Sequence, residues 1–285
     1  MKRRYTVVDV FSDATLSGNP VAVILDAAGL DAPAMQRIAR WTNLSETTFV
    51  LPSTVDGATH RVRIFTPQSE LPFAGHPTLG TTHAVLAAGI VPPKNLLVQE
   101  CGAGLVQIRT SDSGYRLRLP DARSTDVDID TVGALQAALG MSIDPSLAPK
   151  IIDVGPKWLV ARIVSREALL EARPDFSRLA ALDRRIGITG ATLYADLHDG
   201  AQGDIEVRSF APSQGVDEDP VCGSGNGAVA VFRLAHATLS AGAAYVSSQG
   251  RCVGRDGRVE VHVDANGDIW IGGRCVSTVT GDIDC

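Results

Sequence analysis

The sequence lacks the features that mark several large classes of protein. Its five cysteines are odd in number, form no C-x-x-C pair and stand near no histidine at zinc-ligand spacing, which argues against a disulfide framework or a structural zinc site. Basic residues form no stripe and the net charge is -6, so we expect no nucleic-acid partner. No apolar run is long enough to span a bilayer, and the start, MKRRYTVVDVF, lacks a signal-peptide core. We therefore expect a cytoplasmic protein without a membrane partner.

Motifs for cofactor chemistry are also missing. No G-x-G-x-x-G follows a strand in a dinucleotide-binding context, no Ser-His-Asp arrangement is suggested, and no metal motif occurs. We therefore expect no cofactor and no metal, which leaves acid/base chemistry by side chains as the favoured mode of action.

An internal repeat organises the 285 residues, a length that suits two domains. The segment 62–67 reads VRIFTP and the segment 207–212 reads VRSFAP, at an offset of 145. Each is followed by a polar stretch, a glycine-led turn and a helix of small residues, in which Gly75 matches Gly223. The sequence therefore predicts two α/β halves of α+β type. The predicted lobes are 1–130, joined by the last C-terminal residues, and 131–285.

Local patterns agree with two similar halves. Runs rich in Val, Ile, Thr and Phe predict strands, at 5–10, 21–25, 47–51 and 60–65 in the first half and at 150–154, 158–164, 191–196 and 203–210 in the second. Small apolar residues on most faces predict buried helices over 78–88 and about 226–239. The Pro-containing stretch 145–149 is predicted to be a linker.

The two glycine-led helix starts predict a binding site for an anion. A helix N-terminus offers free N–H groups and partial positive charge, and glycine lets a ligand approach that backbone closely. The starts are Gly75-His76-Pro77-Thr78 and Gly223-Ser224-Gly225-Asn226. Either turn alone is explained by chain geometry, but the matched pair favours a carboxylate ligand.

Three titratable residues lie beside these turns. Glu46 starts a strand with apolar neighbours, where burial would raise its pKa toward neutrality and suit it to proton transfer. His76 lies in the first turn and could donate to a carboxylate or shuttle protons. Asp219 lies just before the second turn and could cap the helix or bind substrate.

The sequence resembles the PhzF-like family over nearly its whole length. The resemblance is carried by VDVFSDATLSGNPVAVIL, NLSETTFVL, RIFTPQSELPFAGHPTLGT, RSFAPSQGVDEDPVCGSG and QGRCVGRDGRVEV, of which ELPFAGHPTLG is the most specific. It implies a diaminopimelate-epimerase-like fold: two pseudo-symmetric domains, each a curled, mainly antiparallel sheet or barrel around a central helix, with the active site between them. It also implies a homodimer and a cofactor-free isomerase.

The resemblance assigns roles to individual residues. It implies that Glu46 moves a proton between substrate carbons, as in the isomerisation of trans-2,3-dihydro-3-hydroxyanthranilate, and that His76 and Asp219 hold the substrate and assist. It further implies a pocket that binds the carboxylate of a small substrate, lined by Asn19, Ser45, Gly75, Gly223 and Ser224.

One departure from the family pattern supports an alternative function. Cys222 stands where the family usually has threonine, in a Cys-Gly-Ser-Gly turn that looks like the thiol-bearing turn of diaminopimelate epimerases and proline racemases. Cys222 is therefore a candidate reactive thiol, and an epimerase, racemase or dehydratase using Glu46 and Cys222 is an alternative function. Its partner in the internal repeat, Ala74, is not a thiol. A non-catalytic small-molecule-binding protein is the alternative of another class.

Overall fold

A computed structural model describes residues 1–197 and 203–285. The strands are β1 (Lys2–Val10), β2 (Asn19–Ile24), β3 (Glu46–Leu51), β4 (His60–Phe65), β5 (Glu70–Leu71), β6 (Leu96–Cys101), β7 (Gly104–Ser111), β8 (Gly114–Arg118), β9 (Arg123–Asp126), β10 (Lys150–Asp153), β11 (Lys157–Arg162), β12 (Gly190–Asp196), β13 (Ile205–Ala211), β14 (Val216–Asp219), β15 (Ala244–Gln249), β16 (Gly257–Val263), β17 (Ile269–Gly273) and β18 (Cys275–Asp284). The helices are α1 (Ala32–Thr42), α2 (Gly75–Ala87), α3 (Ile129–Leu139), α4 (Arg166–Glu171), α5 (Phe176–Ile186) and α6 (Gly223–Ala235).

The chain divides into two compact units. Unit 1 contains residues 1–118 and 272–285, and unit 2 contains residues 119–271. The lobes predicted from the sequence place the boundary later, at residue 130, and that division stays a prediction. Among the described residues, no helix is both long enough and apolar enough to cross a membrane.

Unit 1 is a mainly antiparallel sheet whose pairings follow one series. β18 pairs with β1, β1 with β2, β3 with β4, β6 with β7 and β7 with β8, all antiparallel. Parallel pairs join β2 to β3 and β4 to β6. The short β5 adds to β4.

Unit 2 repeats this series. β9 pairs with β10, β10 with β11, β12 with β13 and β15 with β16, all antiparallel, while parallel pairs join β11 to β12 and β13 to β15. The short β14 adds to β13 as β5 adds to β4. β1 and β10 are the first strands of the two repeats. Each pairs with a strand from the other half of the sequence, β1 with β18 and β10 with β9.

A helix lies against several strands of each sheet. In unit 1, α2 contacts β1, β2, β3, β8 and β18, so the sheet curls around it. Its packing on β2 is tight, because a Cβ added at Gly80 would overlap the side chain of Val21. In unit 2, α6 likewise contacts β9, β10, β11, β12 and β16. Helices with small apolar residues on most faces fit this buried position, as predicted.

A second helix in each unit packs on the sheet from an amphipathic face. In unit 1, α1 buries Met35 and Ile38 against Phe49 and Phe65. In unit 2, α5 contributes Leu179 and Leu182 to a core that includes Leu193 and Phe210.

These two helices start and end at matching positions. Asp31 and Asp175 cap their N-termini, and left-handed Asn43 and Gly187 end them, each pair at an offset of 144. Helix α5 was not predicted from the sequence, and neither was α4. Helix α6 also ends earlier than predicted, because Ala237 adopts φ 54° just beyond it.

The pairing register confirms that the halves are repeats. Glu46 lies opposite Val21 in the parallel pair of unit 1, and Gly190 lies opposite Trp158 in the corresponding pair of unit 2. In the next pair along, Thr47 faces Phe65, and Ala191 faces Phe210. The central helices both span 13 residues, at an offset of 148. Gly190 is therefore the counterpart of Glu46, Ser224 of His76, and Cys222 of Ala74.

All five cysteines are free thiols. Cys222 is buried and Cys101 and Cys275 are partly buried, whereas Cys252 and Cys285 are exposed.

Candidate functional site

The candidate proton-transfer group of unit 1 is a carboxylate next to an imidazole. Glu46 is the first residue of β3, and its Oε2 lies 3.2 Å from Nε2 of His76 in the first turn of α2. The two side chains are only 16% and 10% exposed. The strand start and the helix start thus bring together two of the residues that the sequence predicted.

Burial makes Glu46 a better proton carrier than an ordinary carboxyl group. Loss of solvation raises the pKa of Glu46 from 4.5 to about 7, and the neighbouring Ser45 hydroxyl lowers it by a smaller amount. A group with a pKa near the ambient pH can both accept and return a proton, which is what general acid/base catalysis requires. The pKa direction agrees with the expectation from the apolar neighbours of Glu46.

The N-terminus of α2 has no side-chain cap. Its N-cap residue, Ala74, makes no side-chain hydrogen bond. Thr78 donates its hydroxyl to the carbonyl of Ala74 at 2.9 Å and accepts a hydrogen bond from Gln99 at 3.0 Å. The turn that contains Gly75 and His76 is therefore anchored to β6, while the N-cap residue Ala74 provides no side-chain cap.

The remaining predicted residues of unit 1 lie at the same end of the sheet. Asn19 is the first residue of β2 and is 1% exposed, and β2 pairs in parallel with β3. Ser45 directly precedes Glu46 and affects its pKa. Both residues are therefore near the N-terminal ends of the two strands, on the side where Glu46 begins.

In unit 2, a thiol caps the corresponding helix. Cys222 is the N-cap of α6, and its Sγ accepts a hydrogen bond from the backbone N–H of Gly225 at 3.2 Å. Burial raises the pKa of Cys222 well above its usual value, and the charge of Asp219 acts in the same direction. The thiolate form, which is the nucleophile and the base, is therefore disfavoured at neutral pH. The structure gives this cysteine a capping role.

The turn that carries Asp219 is held by buried amides. The side-chain oxygen of Gln249 accepts from the backbone N–H of Cys222 at 3.2 Å and from Asn226 at 2.9 Å, and its nitrogen donates to the carbonyl of Asp219 at 2.9 Å. Asn226 also donates to the carbonyl of Cys222 at 2.9 Å and accepts from Ser247. Asp219 itself accepts from the N–H of Val221 at 3.0 Å. These hydrogen bonds hold the segment from Asp219 to Gly223 to Gln249 of β15 and to Asn226 of α6.

Ser224 has a partner that the sequence analysis missed. The indole N–H of Trp158, at the start of β11, donates to the Ser224 hydroxyl at 3.1 Å. No sequence pattern links these residues, because the contact depends on how the strand packs beside the helix. Gln249 was also missed, although the polar Ser-Ser-Gln at the end of the otherwise ordinary strand β15 was a usable signal.

The predicted residues thus form two groups, each within one unit. Glu46, Ser45, Gly75, His76 and Asn19 belong to unit 1. Asp219, Cys222, Gly223 and Ser224 belong to unit 2.

Comparison with known proteins identifies the family. Residues 8–281 match the family described as phenazine biosynthesis-like protein. The trans-2,3-dihydro-3-hydroxyanthranilate isomerase of Pseudomonas aeruginosa is 34% identical over 268 residues, which cover 93% of this chain and 92% of that protein. The chain belongs to the phenazine biosynthesis-like protein family. Antisense-enhancing sequence 1 of Schizosaccharomyces pombe is also similar, at 38% identity over 96% of both chains.

Solved structures with a similar fold are found both inside and outside this family. The Bacillus anthracis phenazine biosynthesis protein of the PhzF family has a TM-score of 0.89 at 24% identity and full coverage of both chains. A hydroxyproline epimerase from Agrobacterium vitis has a TM-score of 0.68 at 15% identity, covering 99% of this chain and 92% of that one. The predicted diaminopimelate-epimerase-like fold is confirmed. The predicted enzyme class, isomerase, is confirmed by the family relatives that carry this name. The homodimer and the cytoplasmic location stay predictions.

Proposed function

We propose that this family member is an isomerase that shifts a proton within a small amino- or hydroxy-carboxylate, and that Glu46 carries the proton. The compound named in the similar trans-2,3-dihydro-3-hydroxyanthranilate isomerase belongs to this class. The observation that supports this most directly is a buried carboxyl group with a pKa of about 7 at 3.2 Å from an imidazole. No redox change and no leaving group are needed, so a single side chain of suitable pKa can carry the proton while other residues hold the substrate.

The proposed step conserves atoms and charge. The Glu46 carboxylate removes a proton from one substrate carbon and becomes a carboxylic acid. The electron pair of the broken C–H bond forms a new double bond to the adjacent carbon, and the pair of the existing double bond moves to a second carbon. The acid then returns the proton to this second carbon and becomes a carboxylate again. His76, at hydrogen-bonding distance, stabilises the charged form of Glu46 or holds a polar group of the substrate.

We propose that the turns at the two helix starts bind the polar groups of the substrate. Gly75 and Gly223 begin helices whose first N–H groups favour an anion. Asp219, in a turn fixed by Gln249, suits a substrate amine or hydroxyl. Asn19 and Ser45 in unit 1 and Ser224 in unit 2 are further short polar side chains that we propose for ligand binding.

The decisive experiment replaces Glu46 by glutamine. Purified wild-type protein and Glu46→Gln are incubated with trans-2,3-dihydro-3-hydroxyanthranilate in deuterated buffer, and turnover and deuterium incorporation are followed by NMR. We expect turnover to fall by about 10²–10⁴-fold, the usual effect of losing a general base. Wild-type turnover that survives in Glu46→Gln would refute the role of Glu46.

Further variants separate the competing functions. Asp219→Asn tests whether unit 2 serves the same reaction, and we expect a large loss of turnover there too. Cys222→Ala should keep most of the activity, because the thiol caps a helix and its pKa is raised. Deuterium exchange at a substrate α-carbon that depends on Cys222 and not on Glu46 would instead indicate an epimerase or racemase.

A further inference from the structure

The indole of Trp158 makes a contact that the proposed chemistry does not yet use. Trp158 is 3% exposed, and its N–H lies 3.1 Å from the Ser224 hydroxyl. Both residues belong to unit 2. Ser224 follows Gly223 in the first turn of α6, so its hydroxyl stands at the helix start that is expected to receive an anion.

This contact limits what the serine can do. An indole N–H is only a donor, whereas a serine hydroxyl has one hydrogen and two lone pairs. When Trp158 donates to Ser224, one lone pair is occupied and the hydroxyl hydrogen has to point elsewhere. The Ser224 hydroxyl also makes a hydrogen bond of 3.6 Å with Sγ of Cys222, in which either group can donate. Sulfur is a weak acceptor, and this Sγ already accepts from Gly225. A carboxylate is a much stronger acceptor, so it would be the preferred partner of the Ser224 hydrogen.

The position of Trp158 in the repeat supports a functional role. Trp158 lies opposite Gly190, the counterpart of Glu46, and Ser224 is the counterpart of His76. In unit 1 the contact between strand and first helical turn is made by carboxylate and imidazole. In unit 2 an indole on the adjacent strand and a hydroxyl make the corresponding contact. The second unit therefore keeps a polar contact at this place, in which the indole donates and the hydroxyl accepts, and it has no carboxylate there.

We propose that Trp158 is a positioning residue that sets substrate specificity: it orients the Ser224 hydroxyl as a fixed hydrogen-bond donor to the carboxylate of the substrate. This inference rests on the proposed function, because it assigns the carboxylate to the start of α6. A ligand with an acceptor at that place would be preferred over one with a donor. Proton transfer by Glu46 would not depend on Trp158.

The test combines binding with kinetics. Binding of anthranilate, a stable aromatic amino-carboxylate, is measured by isothermal titration calorimetry for wild type, Trp158→Phe, Ser224→Ala and the double variant. Phenylalanine keeps an aromatic ring and removes the N–H. We expect each single variant to weaken binding about three- to tenfold, as for one lost hydrogen bond. The double variant should bind about as weakly as Ser224→Ala alone, because the indole acts through the hydroxyl.

A second tryptophan provides the matched control. The N–H of Trp270 donates to Asp264 at 3.3 Å in a hairpin turn, so Trp270→Phe loses a similar hydrogen bond outside the α6 turn and should bind anthranilate like wild type. In turnover assays, Trp158→Phe should raise KM and leave kcat within about twofold, since chemistry is unaffected.

The outcomes separate this inference from the proposed function. Unchanged anthranilate affinity in Trp158→Phe, or losses that simply add in the double variant, would overturn the role of Trp158. Failure of the proposed function would appear in another variant: Glu46→Gln would keep its turnover. A Glu46→Gln protein that binds anthranilate normally but has lost turnover, together with a weakened Trp158→Phe, is the result we expect.

Discussion

The two units share one topology but differ at the positions where chemistry is expected. Unit 1 has Glu46 at the start of β3, whereas unit 2 has Gly190 at the corresponding register position. His76 in the first turn of α2 corresponds to Ser224 in α6. One copy of the fold thus has a pair of titratable groups where the other has a glycine and a hydroxyl. The repeat preserves backbone positions and leaves the side chains free to take different roles.

The helix starts differ in a related way. Cys222 covers a backbone N–H of α6, whereas Ala74 leaves the start of α2 without a side-chain cap. Behind each turn lies a buried polar residue at the same helix position, Thr78 in α2 and Asn226 in α6, and each donates to the carbonyl of the N-cap residue. Both units therefore support this turn in the same way. At the matched positions, the side-chain cap belongs to unit 2 and the pair of titratable groups to unit 1.

The largest effect is expected at the glycine that replaces the glutamate. A Cβ added at Gly190 would overlap the carbonyl oxygen of Phe210, so Gly190→Ala should destabilise the protein by more than about 3 kcal/mol or prevent folding. Glu46→Ala, at the equivalent position of unit 1, is the matched control and should unfold cooperatively in urea. Equal stability of the two variants would show that the two positions are not packed as differently as the structure indicates.

A pH-dependent effect is expected from Glu46 itself. Its pKa is raised to about 7 from 4.5, so the folded state binds this proton more tightly than the unfolded state. Stability from this group is complete below pH 4.5 and is lost as the pH rises toward 7. The loss amounts to about 3 kcal/mol for a rise of this size. Unit 2 has no carboxylate at the matching position.

Glu46→Gln should therefore unfold like wild type at pH 4.5 and be more stable at pH 8. The difference in free energy of unfolding, measured by urea titration at both pH values, should approach 3 kcal/mol. In activity assays, kcat/KM of the wild type should rise with an apparent pKa near 7, because the base has to be ionised. A variant that shows the same pH dependence of stability as wild type would contradict the raised pKa.

The smallest effect is expected from a comparison of Thr78 and Asn226, the residues that support the helix starts of α2 and α6. Asn226→Ala leaves Cys222, Gln249 and Ser247 without their bonds to the amide. Thr78→Ala frees only the carbonyl of Ala74 and the amide of Gln99. Unpaired buried polar groups cost about 1–3 kcal/mol each before relaxation, so we expect Asn226→Ala to be the more destabilising by about 1–2 kcal/mol in thermal or urea unfolding. A reversed order would mean that the unit 1 turn depends more on its anchor.

The sequence predicts the repeated architecture because its signals are local. The VRIFTP and VRSFAP segments mark β4 and β13, and the glycine-led turns mark the starts of α2 and α6. Glu46 and His76 could be selected as candidates from their places beside these elements. Their 3.2 Å separation could not, because it depends on the packing of α2 beside β3.

Other features were missed for identifiable reasons. Helix α5 has an aspartate cap, an apolar face and a terminal glycine, but its polar composition and the preceding Pro174 obscured the periodicity. The Trp158–Ser224 contact and the three hydrogen bonds of Gln249 join residues far apart in the chain. Register and side-chain direction decide such contacts, and neither is encoded in a short motif.

The pairing of β1 with β18 imposes an order on folding. β1 is made before unit 2 and its neighbour β18 after it, so the two strands are separated by the whole of unit 2. Until β18 emerges, one edge of β1 has unpaired N–H and C=O groups, which invite pairing with other chains. Unit 2 has no such delay, since β9 precedes the rest of that unit. The unit that contains Glu46 is therefore the last to be completed, because its sheet lacks β18 until unit 2 has been made.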